Sequence, residues 1–148
     1  MLNRYQAVFK SLHSNNVRYL VMGEIAAILH GVPRATFDLD IIIEPSSENA
    51  EKLLKALIDA GMRTAELTSV DDLLSHEITI FKDYILLDVQ TRNPGVDFLS
   101  AYKDKRIMFV GGQEFYVMSR THLIKSKRAA GRPIDLQDAE ALEGLDNF

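Results

Sequence analysis

Apolar positions recur at helical spacing from Leu2 to Leu12 (Tyr5, Val8, Phe9, Leu12), which predicts a helix closed by the turn residues Ser14-Asn15-Asn16. Val17 to Met22 then reads as a short strand. Gly23 breaks it, and Glu24 to His30 is a compact apolar helix stopped by Gly31 and Pro33. Asp38 to Ile43 is a β-branched strand ended by Pro45-Ser46-Ser47. A helix follows from about Ser47 to Ala60, with Leu53, Leu54, Leu57 and Ile58 on one stripe and Gly61 at its end. Ala65 to Ser75 has no clean period and reads as a short helix or a loop.

The second half changes grammar. Glu77 to Phe81 and Tyr84 to Gln90 read as an antiparallel pair turning at Lys82-Asp83, and Arg106 to Val110, Gly111-Gly112 and Gln113 to Met118 as a clearer hairpin. Ser119 is placed to cap a helix running to about Ala130, and Pro133 opens the last helix. Two hairpins rule out a purely parallel sheet. The expected fold is α+β, with a mixed sheet flanked by helices and two helices at the C-terminal end, in a single domain over residues 1–148.

Composition narrows the chemistry. The chain has 148 residues, is 47% apolar and 26% charged, and contains no cysteine, so disulfides, thiolate metal sites and cysteine nucleophiles are excluded. No signal-like apolar segment or membrane-length run is present, and a soluble protein of a reducing cytoplasm, with no membrane partner, is expected. The net charge of −4 argues against a general nucleic-acid coat. Charge is unevenly placed: Arg120, Lys125, Lys127, Arg128 and Arg132 occupy a stretch without acids, and Asp135, Asp138, Glu140, Glu143 and Asp146 one without bases.

The strand Asp38-Leu39-Asp40-Ile-Ile-Ile43 carries the candidate chemistry. Side chains alternate across a strand, so Asp38 and Asp40 share one face, about 6.5 Å apart along the chain. In Tyr84-Ile-Leu-Leu-Asp-Val-Gln90 a third acid, Asp88, emerges opposite Leu87 and Val89. Like charges about 4 Å apart repel by around 4 kcal/mol at an effective dielectric of 20, so such a gathering invites a cation. Mg²⁺ fits, being a hard ion that takes one or two carboxylates together with water and phosphate oxygens. The bland alternative is strand capping by Asp38 and a lysine partner for Asp88. Upstream, Val21-Met22-Gly23 turns a strand into a helix, where a missing side chain lets a phosphate approach the backbone or merely permits the bend.

Met22-Gly23-Glu24, Asp38-Leu39-Asp40 and Leu87-Asp88-Val89 together resemble, in order and setting, the DNA polymerase beta-like nucleotidyltransferase superfamily. The stretches GVPRATFDLD and LIKSKRAAGRPIDLQDAEAL look most like its minimal bacterial members related to abortive-infection toxin nucleotidyltransferases. The resemblance implies that Asp38 and Asp40 bind two Mg²⁺ (or Mn²⁺) with a nucleoside triphosphate, while Asp88 binds one ion and helps activate an acceptor hydroxyl. RNA such as tRNA, protein and small molecules are the acceptor classes, and an antitoxin or a second copy of the chain the further partners. Two positions depart from the pattern: Glu24 stands where relatives carry Gly or Ser, and Ile134 where they commonly carry Lys.

Around this core, Gly23, Glu24, Arg34, Thr36 and Lys127 are candidate nucleotide contacts, with Arg132, Asp135 and Asp138 in support. Lys127 falls between Leu123 and Ile124 on the helical wheel and so points inward, whereas Lys125 faces away. An inward lysine needs an anion, and the strand aspartates, Asp135 or a phosphate all qualify. Asp135 shares the face of Ala139 and Leu142, with Asp138 at its edge; first-turn acids also favour the helix dipole. Arg34 and Thr36 suit either nucleotide contact or loop carbonyls. Neither the histidines nor the hydroxyl residues form a metal-ligand spacing or an acyl-transfer triad. The expected activity is Mg²⁺-dependent transfer of a nucleoside monophosphate to an acceptor hydroxyl. A non-catalytic nucleotide-binding or toxin–antitoxin interaction module and a metal-dependent phosphodiesterase are its rivals.

Overall fold

A computed structural model describes residues 2–145. A 3₁₀ turn at Leu2–Tyr5 leads into α1 (Gln6–Ser14), followed by β1 (Tyr19–Met22), α2 (Gly23–Leu29), β2 (Asp38–Ile43) and α3 (Ser47–Asp59). A second 3₁₀ turn at Arg63–Leu67 and α4 (Val70–Ser75) fill the stretch without a clean period. Then come β3 (Ile78–Lys82), β4 (Leu86–Gln90), α5 (Phe98–Lys103), β5 (Arg106–Val110), β6 (Gln113–Val117), α6 (Arg120–Ala130) and α7 (Pro133–Gly144).

The strands form one mixed sheet in the order β3-β4-β2-β1-β6-β5. Pairing is antiparallel for β3/β4, β1/β2 and β5/β6, and parallel for β2/β4 and β1/β6. The expected α+β class and mixed sheet are thus observed. The turn of the first hairpin differs. Lys82 pairs with Leu86, so Asp83-Tyr84-Ile85 form a three-residue loop and β4 begins at Leu86 rather than Tyr84. Asp83 explains the shift: its carboxylate accepts from the Tyr84 and Thr64 amides and holds the loop against the preceding 3₁₀ turn.

Strand alternation divides the core. Leu39, Ile41, Ile43, Leu87 and Val89 are buried on one face of the sheet, the face of α1 and α3. Tyr19 of β1 belongs to this side and joins a ring cluster in which Phe9 stacks on Phe115 at 4.5 Å between centroids. Serine caps fix the helix starts: Ser46 accepts from Asn49, Ser69 from Asp72 and Ser119 from His122. Gly131 ends α6 in the left-handed conformation, at φ +70°, and Pro133 starts α7. The opposite face carries Asp38, Asp40 and Asp88.

No helix among the described residues is long and apolar enough to cross a membrane.

Candidate active site

Parallel pairing of β2 with β4 puts Asp40 directly opposite Asp88, with Asp38 opposite Leu86 one pleat further out. The three acids share a face because their spacing along each strand is even. Their environments differ. Asp38 lies at the exposed start of β2, whereas Asp40 and Asp88 are half-buried and face each other across the β2/β4 pair. Burial first, then the charge of Asp88, pushes the Asp40 carboxyl up to about 8. Asp88 is raised as well, again chiefly by burial.

Gly23 is adjacent because Met22 pairs with Asp40 across β1/β2. Its φ of +67° disfavours any side chain, and a Cβ there would lie 2.3 Å from Asp40 Oδ2. The glycine therefore does more than make a bend. It leaves the room that the Asp40 carboxylate occupies.

Across a cleft of about 210 Å³ stands the basic end of α6. Lys127 is only 4% exposed, as its place on the wheel indicated. Its ammonium lies 2.6 Å from Glu24 Oε1, 3.0 Å from Asp138 Oδ2 and 3.8 Å from Asp135 Oδ1. Glu24 and Asp138 are thus its direct partners, rather than the strand aspartates. Arg34 reaches the same cluster, donating from Nε to Asp138 Oδ1 at 2.7 Å, with Glu24 Oε2 at 3.7 Å. Arg132 donates from Nε to Asp135 Oδ2 at 2.7 Å at the start of α7.

Asp138 corrects its expected place at the edge of a helix face: it is 0% exposed. The loop carrying Arg34 and the start of α2 pack over that edge, which a helical wheel does not contain. Burial would raise its carboxyl, but hydrogen bonds from Arg34 and Lys127 bring it below the usual carboxylate range. Asp135 is held low in the same way by Arg132, also against burial. Glu24 Oε2 is buried without a hydrogen-bond partner, the one unsatisfied oxygen of this kind among the described residues. Arg34 thus pairs with carboxylates rather than loop carbonyls. The Thr36 hydroxyl accepts from the Asp38 amide at 3.3 Å and so steadies the entry to β2. Ile134 is 40% exposed on α7.

Glu24 as the partner of Lys127, and Gln90 and Asn93 in the cleft wall, were not anticipated from the sequence. Gln90 had a legible signal, lying two residues beyond Asp88 on the same strand face.

The donor set suits Mg²⁺: two neighbouring carboxylate oxygen donors whose repulsion a cation would relieve, open to a cleft where water and phosphate oxygens complete the coordination. Among the described residues no three His, Cys, Asp or Glu side chains are gathered as a ready-made cage.

No protein-family model matches the chain, and no curated protein matches it in sequence. Solved structures share its fold. A candidate nucleotidyltransferase from Thermotoga maritima superposes with a TM-score of 0.56 at 19% identity, over 99% of this chain and 92% of its own. An antigenic nucleotidyltransferase-like protein from Paracoccidioides brasiliensis superposes with a TM-score of 0.57 at 18% identity, over 97% of this chain and 76% of its own. The chain has a nucleotidyltransferase-like fold.

Proposed function

We propose that the chain is a Mg²⁺-dependent nucleotidyltransferase of the DNA polymerase beta-like type, moving a nucleoside monophosphate from a triphosphate to an acceptor hydroxyl. One observation carries the reading: the like-charged pair Asp40–Asp88 is kept half-buried beside Gly23, whose missing side chain makes the room. Two carboxylates set opposite one another on adjacent strands are not kept for stability, since burial and the charge of Asp88 both make Asp40 harder to ionise. Resemblance in sequence order and likeness of fold support the same reading.

Asp40 and Asp88, with Asp38 beyond them, would hold the ion, which supplies neutralisation of the triphosphate and of charge developing on the leaving group. Asp88 takes the acceptor's hydroxyl proton, the freed oxygen attacks the α-phosphorus, and the bond to the bridging oxygen breaks. Pyrophosphate departs with the electron pair. Arg132, largely exposed at the cleft mouth, is placed to meet a phosphate there. Lys127 contributes positive potential but is already engaged by Glu24 and Asp138.

That engagement favours a second reading, a non-catalytic nucleotide-binding module within a toxin–antitoxin pair, because a carboxylate fills the place next to Gly23. Incubation with Mg²⁺, each α-labelled triphosphate, and tRNA, protein or small-molecule acceptors separates the readings. Label transfer supports the transferase. Tight nucleotide binding without turnover on any acceptor supports the module, and shortening of RNA would point to a phosphodiesterase instead.

A further inference from the structure

The face that carries the acid pair continues into a larger cavity of about 690 Å³, where β2 and β4 end beneath the loop 91–97 and the start of α5. Ile42, two residues past Asp40 on the same face of β2, lies at its base, and Val96, Phe98 and Leu99 add apolar walls. Asn93 lines both this cavity and the acid cleft, so the two meet at this residue. It is fixed there, donating from Nδ2 to Gln90 Oε1 at 3.1 Å and accepting at Oδ1 from the Gly95 amide at 3.0 Å. Gln90, which holds Asn93, follows Asp88 by two residues, one strand repeat of roughly 6.5 Å along β4. The loop is pinned as well: a Cβ on Gly95 would lie 2.5 Å from the Lys125 carbonyl oxygen of α6.

Charge around the cavity is unequal, with Glu44, Glu77 and Asp97 against Arg92. Arg18 pairs with Glu44 from outside, and Asp97 caps α5 through Oδ2, which leaves Glu77 and the other oxygen of Asp97 for a ligand. Such a lining repels a triphosphate and suits an amine. The volume falls in the range of ordinary small-molecule sites, roughly 300–1,000 Å³.

We propose that this cavity is the acceptor pocket, taking a small organic molecule with an apolar body and a cationic amine whose hydroxyl reaches past Asn93 to Asp88. The assignment rests on the nucleotidyltransferase reading. Tyramine, with an aromatic body, an ammonium and a hydroxyl, is the probe, and 4-hydroxyphenylacetate is its anionic counterpart. Both are titrated into ¹⁵N-labelled protein. Tyramine is expected to move the amide resonances of Glu77, Thr91, Asn93 and the segment 96–99, and the acid to bind at least tenfold more weakly. Leu99→Trp, which fills the rim from an exposed position, and Glu77→Gln should each weaken tyramine several-fold while the spectrum stays that of the folded protein. Saturating Mg²⁺-ATP should leave tyramine binding within twofold. Absence of a localised shift, equal or tighter binding of the acid, or mutual exclusion of tyramine and Mg²⁺-ATP would overturn the assignment. Tyramine binding as described in a protein that neither binds nor turns over any triphosphate would instead sink the transferase reading and the acceptor role with it, leaving an amine site.

Discussion

Two pairs of acids lie at or just behind the same cleft, and their surroundings treat them in opposite ways. Asp135 and Asp138 are the more deeply buried, at 1% and 0% exposure, yet both carboxyls lie below the usual range because Arg132, Arg34 and Lys127 supply cations and hydrogen bonds. Asp40 and Asp88 keep more solvent, but their carboxyls are raised, since each is desolvated beside another acid. Depth of burial therefore does not decide the fate of a carboxylate; the partners do. The α7 acids tie α6 and the Arg34 loop to their own helix, whereas the strand acids retain an unmet demand for positive charge.

Removing a cation from the satisfied pair should have the largest effect. Lys127→Ala leaves Asp138 and Glu24 to share Arg34 alone, a loss of about 3 kcal/mol in urea unfolding. A loss under 1 kcal/mol would show that water enters the cluster and that the two regions are less distinct than drawn. Gly23→Ala combines a left-handed φ with a 2.3 Å clash against Asp40, and should cost about 2–3 kcal/mol. Gly23→Ala combined with Asp40→Gly should recover part of that loss, because the clash partner is gone.

Asp40→Asn should act with the opposite sign. A carboxyl raised on folding contributes stability fully present below its unfolded value near 4, and that contribution is lost as pH climbs toward about 8. Replacing it with a neutral amide should therefore help little at pH 5 and on the order of 2 kcal/mol at pH 8.5, read from melting curves without divalent ions. The satisfied pair sharpens the contrast. Lowered carboxyls stabilise above the unfolded value, so the loss on acidification below pH 4 should shrink in Asp138→Asn, measured against its own neutral-pH stability. The smallest change is expected at the solvent: Arg128→Ala breaks a half-exposed pair with Glu143 and should cost roughly 0.5 kcal/mol or less.

Much of the fold was legible because strand alternation and helix punctuation are local. The D-x-D strand, the acid on β4 and the glycine turn could be read in order, and the inward Lys127 followed from a wheel. Partners were harder. Glu24 meets Lys127 from 103 residues away, a pairing that no spacing rule encodes. Asp138 looked peripheral because the loop that buries it lies outside its own helix. Helix α5 passed unremarked in the sequence: it is six residues long, too short for a clear period, although Asp97 at its cap was a usable signal. The cavity beside it exists only once loop 91–97 is folded against α6.

If the Asp40–Asp88 pair beside Gly23 seats a divalent cation with a nucleotide, that ion should register as added heat stability. Thermal unfolding at pH 8 with ATP present, Mg²⁺ titrated in, and wild type compared with Asp40→Asn tests it most directly. The wild-type melting temperature should climb with Mg²⁺, by the equivalent of about 2.7 kcal/mol at a hundredfold excess of Mg²⁺-ATP over its Kd, and the variant should not respond. No Mg²⁺-dependent rise in wild type, or an equal rise in both proteins, would contradict it.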